Sequence, residues 1–120
     1  MRRPLLAILV SLASPALAQT VPPLVEVEDE SMIVESFGIN VDDFEDTDIV
    51  DASGDVIGEV DEVLMDAEGR IVAVSAEVGG FLGIGDKEVV IELGMLVADG
   101  DRLRIDMTEE QVEALPAWDD

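Results

Sequence analysis

A chain of 120 residues with 29 acidic and six basic side chains carries a formal net charge of −23, and it contains neither cysteine nor histidine. That balance all but excludes DNA and RNA, whose phosphates call for basic clusters, and favours cations or basic proteins as partners. The missing residue types exclude disulfides and remove the commonest zinc ligand and general base.

In chain order, the first pattern is a targeting signal. Arg2 and Arg3 form a positive start, residues 5–13 an apolar run, and Ala16-Leu17-Ala18 an A-x-A cleavage site. The run is shorter than the roughly 20 residues that span a bilayer. Cleavage after Ala18 is expected, which leaves 102 residues with four basic side chains against 29 acidic ones, a net charge of −25. The expected destination is the periplasm. No later apolar run reaches membrane-spanning length.

Residues 19–36 read as an acidic arm, with Pro22-Pro23 near its start and Glu26, Glu28, Asp29 and Glu30 following. Such a composition predicts a flexible tether. Leu24, Val25, Val27, Met32, Ile33 and Val34 qualify this, because part of the arm could add a strand to a sheet edge. Ile39, Val41 and Phe44 are the expected buried contacts of the next segment.

Short strands follow. One begins at Ile49-Val50 and ends in a turn at Ser53-Gly54-Asp55. The next runs from about Val56 to Asp66, and its inward parity changes partway, which predicts a bulge near Asp61. Ala67-Glu68-Gly69-Arg70 reads as a hairpin turn. Val72, Val74, Ala76 and Val78 then alternate with Ala73, Ser75 and Glu77. After a glycine run, Val89, Ile91 and Leu93 alternate with Glu88, Val90 and Glu92. One helical turn is expected over 94–97 and a turn at Asp99-Gly100-Asp101. Leu103, Ile105 and Met107 mark the last strand. Thr108 and Gln111 form a capping box for a terminal helix, with Val112 and Leu115 on one face, Pro116 as its stop and Trp118 packed beside it. These elements predict a mainly β fold, a small and strongly bent antiparallel barrel with one short C-terminal helix.

The glycine run reads Val78-Gly79-Gly80-Phe81-Leu82-Gly83-Ile84-Gly85. Its glycines, with Gly58 and Gly69, are expected to serve bends and close approaches. Phe81, Leu82 and Ile84 either close the core or form an apolar tip that docks a partner or a second copy.

Catalytic and metal patterns are weak. Asp51, Ser53, Asp55, Glu59 and Glu62 fall at positions 1, 3, 5, 9 and 12 of an EF-hand-like loop, but Val56 stands where that loop needs glycine. A turn followed by a strand with solvent-facing acids is the better reading. Gly80 and Gly85 are spaced like the glycines of a phosphate-binding loop, yet Asp86 separates them from Lys87 and Glu88 follows. The serines have no histidine to activate them. Neither catalysis, a cofactor nor a built metal site is expected.

The chain resembles the PRC-barrel family. The resemblance rests on Gly54-Asp55-Val56-Ile57-Gly58-Glu59-Val60, on the turn Asp66-Ala67-Glu68-Gly69-Arg70, on the glycine run, and on the Leu103 strand leading into Thr108-Glu109-Glu110-Gln111 and Ala114-Leu115-Pro116. It extends from about Phe37 to Trp118. It implies a barrel of about six bent strands that supports protein assembly and has no catalytic motif. Better-known members are a reaction-centre H subunit and a ribosome maturation factor; this chain is similar to the smaller secreted ones.

The expected organisation is a leader at 1–18, the arm at 19–36 and one domain at 37–120. The expected function is a non-catalytic periplasmic interaction module, selecting a basic partner or itself. The rival is an acidic protein that binds divalent cations.

Overall fold

The computed structural model describes residues 23–79 and 87–119. The expected leader lies outside the described residues, as do Gly80, Phe81, Leu82, Gly83, Ile84 and Gly85. In chain order the elements are β1 (Val25–Glu26), β2 (Ile33–Val34), β3 (Ile39–Asn40), α1 (Val41–Phe44), β4 (Asp48–Val50), β5 (Val56–Met65) and β6 (Ile71–Val78). Then come β7 (Lys87–Glu92), a 3-10 turn (Leu93–Met95), β8 (Leu96–Asp99), β9 (Arg102–Ile105) and α2 (Glu109–Glu113).

The main sheet has the order β7-β6-β5-β4-β9-β8, and β1 pairs with the far half of β5. β2 and β3 form a separate two-stranded ribbon. The sequence expectation needs three corrections. The sheet is mixed, because β4 and β9 run parallel through Ile49 opposite Leu103 and Val50 opposite Arg104. It does not close into a barrel among the described residues. There are also two short helices, the first capped by the Asn40 side chain, which accepts the Asp43 N–H at 2.8 Å. Alternation along a strand fixes which side chains share a face; it carries no information on the direction of the neighbouring strand.

The bulge stands where the phase change put it. Val60 pairs with Ala76 and Glu62 with Ser75, so Asp61 is the extra residue. The displaced N–H of Glu62 donates to Ser75 Oγ at 3.1 Å, and Ser75 is fully buried. The bulge lets Val60 and Val63 both reach the main core, with Leu64 on the opposite face.

The main core joins Phe44, Ile49, Val60, Val63, Val74, Ile91 and Ile105. Phe37 packs edge-on to Phe44 with ring centres 5.1 Å apart. Ile39, expected inside, is exposed on the β2–β3 ribbon while Val41 and Phe44 are buried. A second, smaller cluster gathers Leu64, Ala73 and Val90 with Leu24, Val72 and Trp118. Trp118 reaches it because the C-terminal segment runs along β7. Val90 N–H donates to the Pro116 carbonyl at 2.8 Å and Trp118 N–H to the Glu88 carbonyl at 2.9 Å. The indole therefore covers the outer sheet face and does not sit under α2.

α2 starts at the expected capping box: Gln111 N–H donates to Thr108 Oγ1 at 3.1 Å, and Thr108 N–H to Gln111 Oε1 at 3.0 Å. Part of the expected tether is packed into the fold. Val25 and Glu26 pair with Met65 and Leu64, as strand addition at a sheet edge requires. Val27 and Val34 are buried in the main core, and that burial is what seats the segment.

Candidate functional site

Three surface features are candidates, and charge dominates two of them. The first is a row of carboxylates across four adjacent strands. Asp48 of β4 lies opposite Glu59 of β5, Glu59 opposite Glu77 of β6, and Glu77 opposite Glu88 of β7. Like charges facing each other across strands are unfavourable, so the row costs folding energy. Partial burial, followed by Asp46, Asp48, Glu77 and Asp61, holds the Glu59 carboxyl above its ordinary range. The bulge adds Asp61, so Asp61, Glu77 and Glu88 each offer a carboxylate oxygen within 4.8 Å of the others. An oxygen-only set of this kind suits a hard divalent cation or an ammonium group.

The row was not legible in the sequence. Each acid occupies an outward position beside core valines, which marks it as exposed, but only the strand register lines them up.

The second feature is an open cleft of about 570 Å³ between the arm and the β5–β6 hairpin. Met32, Ile33, Ile71 and Leu93 give it an apolar lining, and Glu35 and Arg70 stand at its walls. Ile33 is 51% exposed, high for a large aliphatic side chain. The Arg70 charge is already engaged, by Glu68 at 2.8 Å and Asp66 at 3.5 Å. The cleft therefore presents an apolar surface in acidic surroundings. The sequence signal was the triplet Met32-Ile33-Val34 inside an otherwise polar arm.

The third feature is a set of acids around Glu45, which follows α1. Partial burial, then Glu30, Asp46, Glu26 and Asp42, push the Glu45 carboxyl up to about 7. The four described charged groups that act on it most are all acidic.

The EF-hand-like spacing resolves into a turn. Asp51 Oδ1 accepts the N–H groups of Ser53 at 2.9 Å and Asp55 at 3.0 Å. Asp66 does the same for Glu68 and Arg70 at 2.9 and 3.0 Å. These bonds, that from Arg70 first, hold the Asp66 carboxyl below its ordinary range. The two loops, Asp51-Ala52-Ser53-Gly54-Asp55 and Asp66-Ala67-Glu68-Gly69-Arg70, share one hydrogen-bonding scheme in which Asp serves the backbone.

Of the expected structural glycines, Gly58 is a close-approach position: a Cβ there would collide with the Glu77 carbonyl and lie 2.8 Å from a Val78 methyl. Gly79 has φ of +73° and faces the Glu113 carboxylate. Gly69 sits at φ of +84° in its turn. The docking residues expected from the sequence, Phe81, Leu82 and Ile84, lie outside the described residues.

No helix among the described residues is long and apolar enough to cross a membrane. A search of curated proteins finds no match to the chain. The family model of the PRC-barrel domain matches residues 38–112, from the turn before β3 into α2. Domains of this kind often mediate protein interactions. With well over half of its length matched, and with the expected turns, bulge and capping box in place, the chain belongs to the PRC-barrel domain family.

Proposed function

We propose that this domain is a non-catalytic interaction module of the periplasm that docks a basic protein segment. The observation that carries the reading is the cleft lined by Met32, Ile33, Ile71 and Leu93, where a half-exposed isoleucine stands with Glu35 at the wall and with Arg70 already paired to Glu68 and Asp66. An aliphatic side chain of the partner fills the cleft, and its lysines or arginines meet the surrounding carboxylates. Phe81, Leu82 and Ile84 are a second proposed docking element, on their composition among glycines. Crosslinking in cells, followed by mass spectrometry, tests the proposal. A defined basic partner is expected, lost in Ile33→Asp or in Phe81→Asp and retained in Val97→Asp, which alters an exposed position of β8. Equal recovery of the partner with all three variants contradicts docking at either element.

Divalent-cation binding is the second reading, favoured by the convergence of Asp61, Glu77 and Glu88. Calorimetry with calcium at fixed ionic strength separates it from diffuse attraction. Saturable binding that Glu77→Gln abolishes and Asp51→Asn leaves intact supports a built site. A shallow response removed by salt does not.

A further inference from the structure

The cleft and the apolar residues of the glycine run belong to opposite ends of one strand pair. β6 starts at Ile71, in the cleft, and runs to Val78. β7 starts at Lys87, opposite Val78, and returns to Glu92, one residue before Leu93 of the cleft. The segment 80–86 joins Gly79 to Lys87, so the chain ties it to the end away from the cleft. At about 3.3 Å per residue, the length of β6 puts roughly 23 Å between Ile71 and Val78.

That distance separates the segment from the cleft of its own copy. Phe81, Leu82 and Ile84 are each at most three residue steps from Gly79 or Lys87. Three steps of fully extended chain span at most about 11 Å. No such limit applies to the cleft of a neighbouring copy. The chemistry of the two ends is also complementary. Three large apolar side chains match a lining of Met32, Ile33, Ile71 and Leu93. Lys87 follows the segment directly; it is exposed and takes part in no ion pair among the described residues. Glu35, also exposed, stands at the cleft wall.

We propose that the cleft takes segment 80–86 of a second copy of this chain, with Phe81, Leu82 and Ile84 entering the apolar lining and Lys87 meeting Glu35. The proposal rests on the reading of the cleft as a docking site and names its occupant. The contact joins unlike surfaces, so it propagates head to tail or closes as a reciprocal pair. It is apolar at its centre with a charge pair at its rim, and it forms against the general repulsion of two chains of net charge −23.

The chain contains no cysteine, so each introduced thiol reports one position. Ile33→Cys and Leu82→Cys proteins are mixed and mildly oxidised. The disulfide between positions 33 and 82 of different copies is expected to form roughly tenfold more than one between 82 and Val97→Cys, an exposed position of β8. Sedimentation of the unsubstituted protein is expected to show association that Ile33→Asp or Leu82→Asp weakens about tenfold. Mixing those two variants is expected to restore a dimer, because one keeps its segment and the other its cleft. Salt supplies a sign: self-association strengthens from about 0.05 M to about 0.5 M sodium chloride, whereas docking of a basic partner weakens. A protein that stays monomeric in salt at about 1 mM overturns the proposal, and so does a 33–82 disulfide no more frequent than the control. If crosslinking in cells then still captures a basic partner that Ile33→Asp loses, the docking role of the cleft stands and only self-docking falls.

Discussion

At the residue scale, two small side chains decide whether β5 and β6 can lie together. Ser75 is a polar residue in a fully buried position, and its hydroxyl is the acceptor for the N–H that the bulge displaces. Removing it takes the acceptor from that part-buried N–H, at a cost of about 1 kcal/mol. Ser75→Ala is therefore expected to lower the midpoint of urea unfolding while leaving its slope unchanged. Gly58 acts by absence, because its backbone lies against the Glu77 carbonyl where no Cβ fits. Gly58→Ala is expected to destabilise by about 2 kcal/mol through forced strand separation, and calorimetric unfolding measures it. An unaltered unfolding temperature in either variant would show that the two strands adjust more freely than their contacts imply. The role of Gly58 was legible only as an unusual glycine inside a strand pattern. The role of Ser75 was hidden, because an odd-parity serine beside Glu77 reads as solvent-facing until the bulge turns a backbone N–H toward it.

At the element scale, local chemistry was legible and pairing was not. The Thr108–Gln111 capping box, the hairpin turn at Asp66 and the bulge at Asp61 each depend on a few consecutive residues, so their signals survive in the sequence. The parallel contact of β4 with β9 depends on how the 3-10 turn and β8 route the chain, and no local pattern records that. The arm's place has a related origin: its acids argue for solvation, and the strand addition that its apolar residues allow is realised at Val25–Glu26, where the burial of Val27 and Val34 requires a sheet that forms elsewhere in the chain. The Asp66 turn yields a prediction with a definite sign. Its carboxyl sits below the ordinary range, so the stability it contributes is present above that range and is lost as pH falls through the folded value. Asp66→Asn keeps an oxygen acceptor but loses the charge. The gap in unfolding temperature between the two proteins is expected near neutral pH and to close in acid. A gap that persists in acid would assign the difference to packing.

At the scale of the whole molecule, the excess of acids sets the conditions under which the fold is stable. Six basic residues cannot offset 29 acids, and the register concentrates part of the excess into the row Asp48, Glu59, Glu77 and Glu88. The reach of unscreened repulsion falls from a Debye length of about 30 Å at 0.01 M salt to about 3 Å at 1 M. Repulsion along a row spaced by neighbouring strands, about 4.8 Å each, should thus weaken steadily as salt is added. Glu77 faces an acid on both sides, so Glu77→Gln relieves two like-charge pairs and is expected to stabilise the protein by about 0.5 kcal/mol at low salt. The wild type should gain stability with sodium chloride, and the advantage of Glu77→Gln should shrink toward zero in the same series. Urea unfolding at several salt concentrations measures both. A salt-independent advantage would mean that Glu77 opposes folding through desolvation and not through its charged neighbours. A wild type indifferent to salt would mean that bound counterions already neutralise the row, which is the behaviour that the cation-binding reading requires.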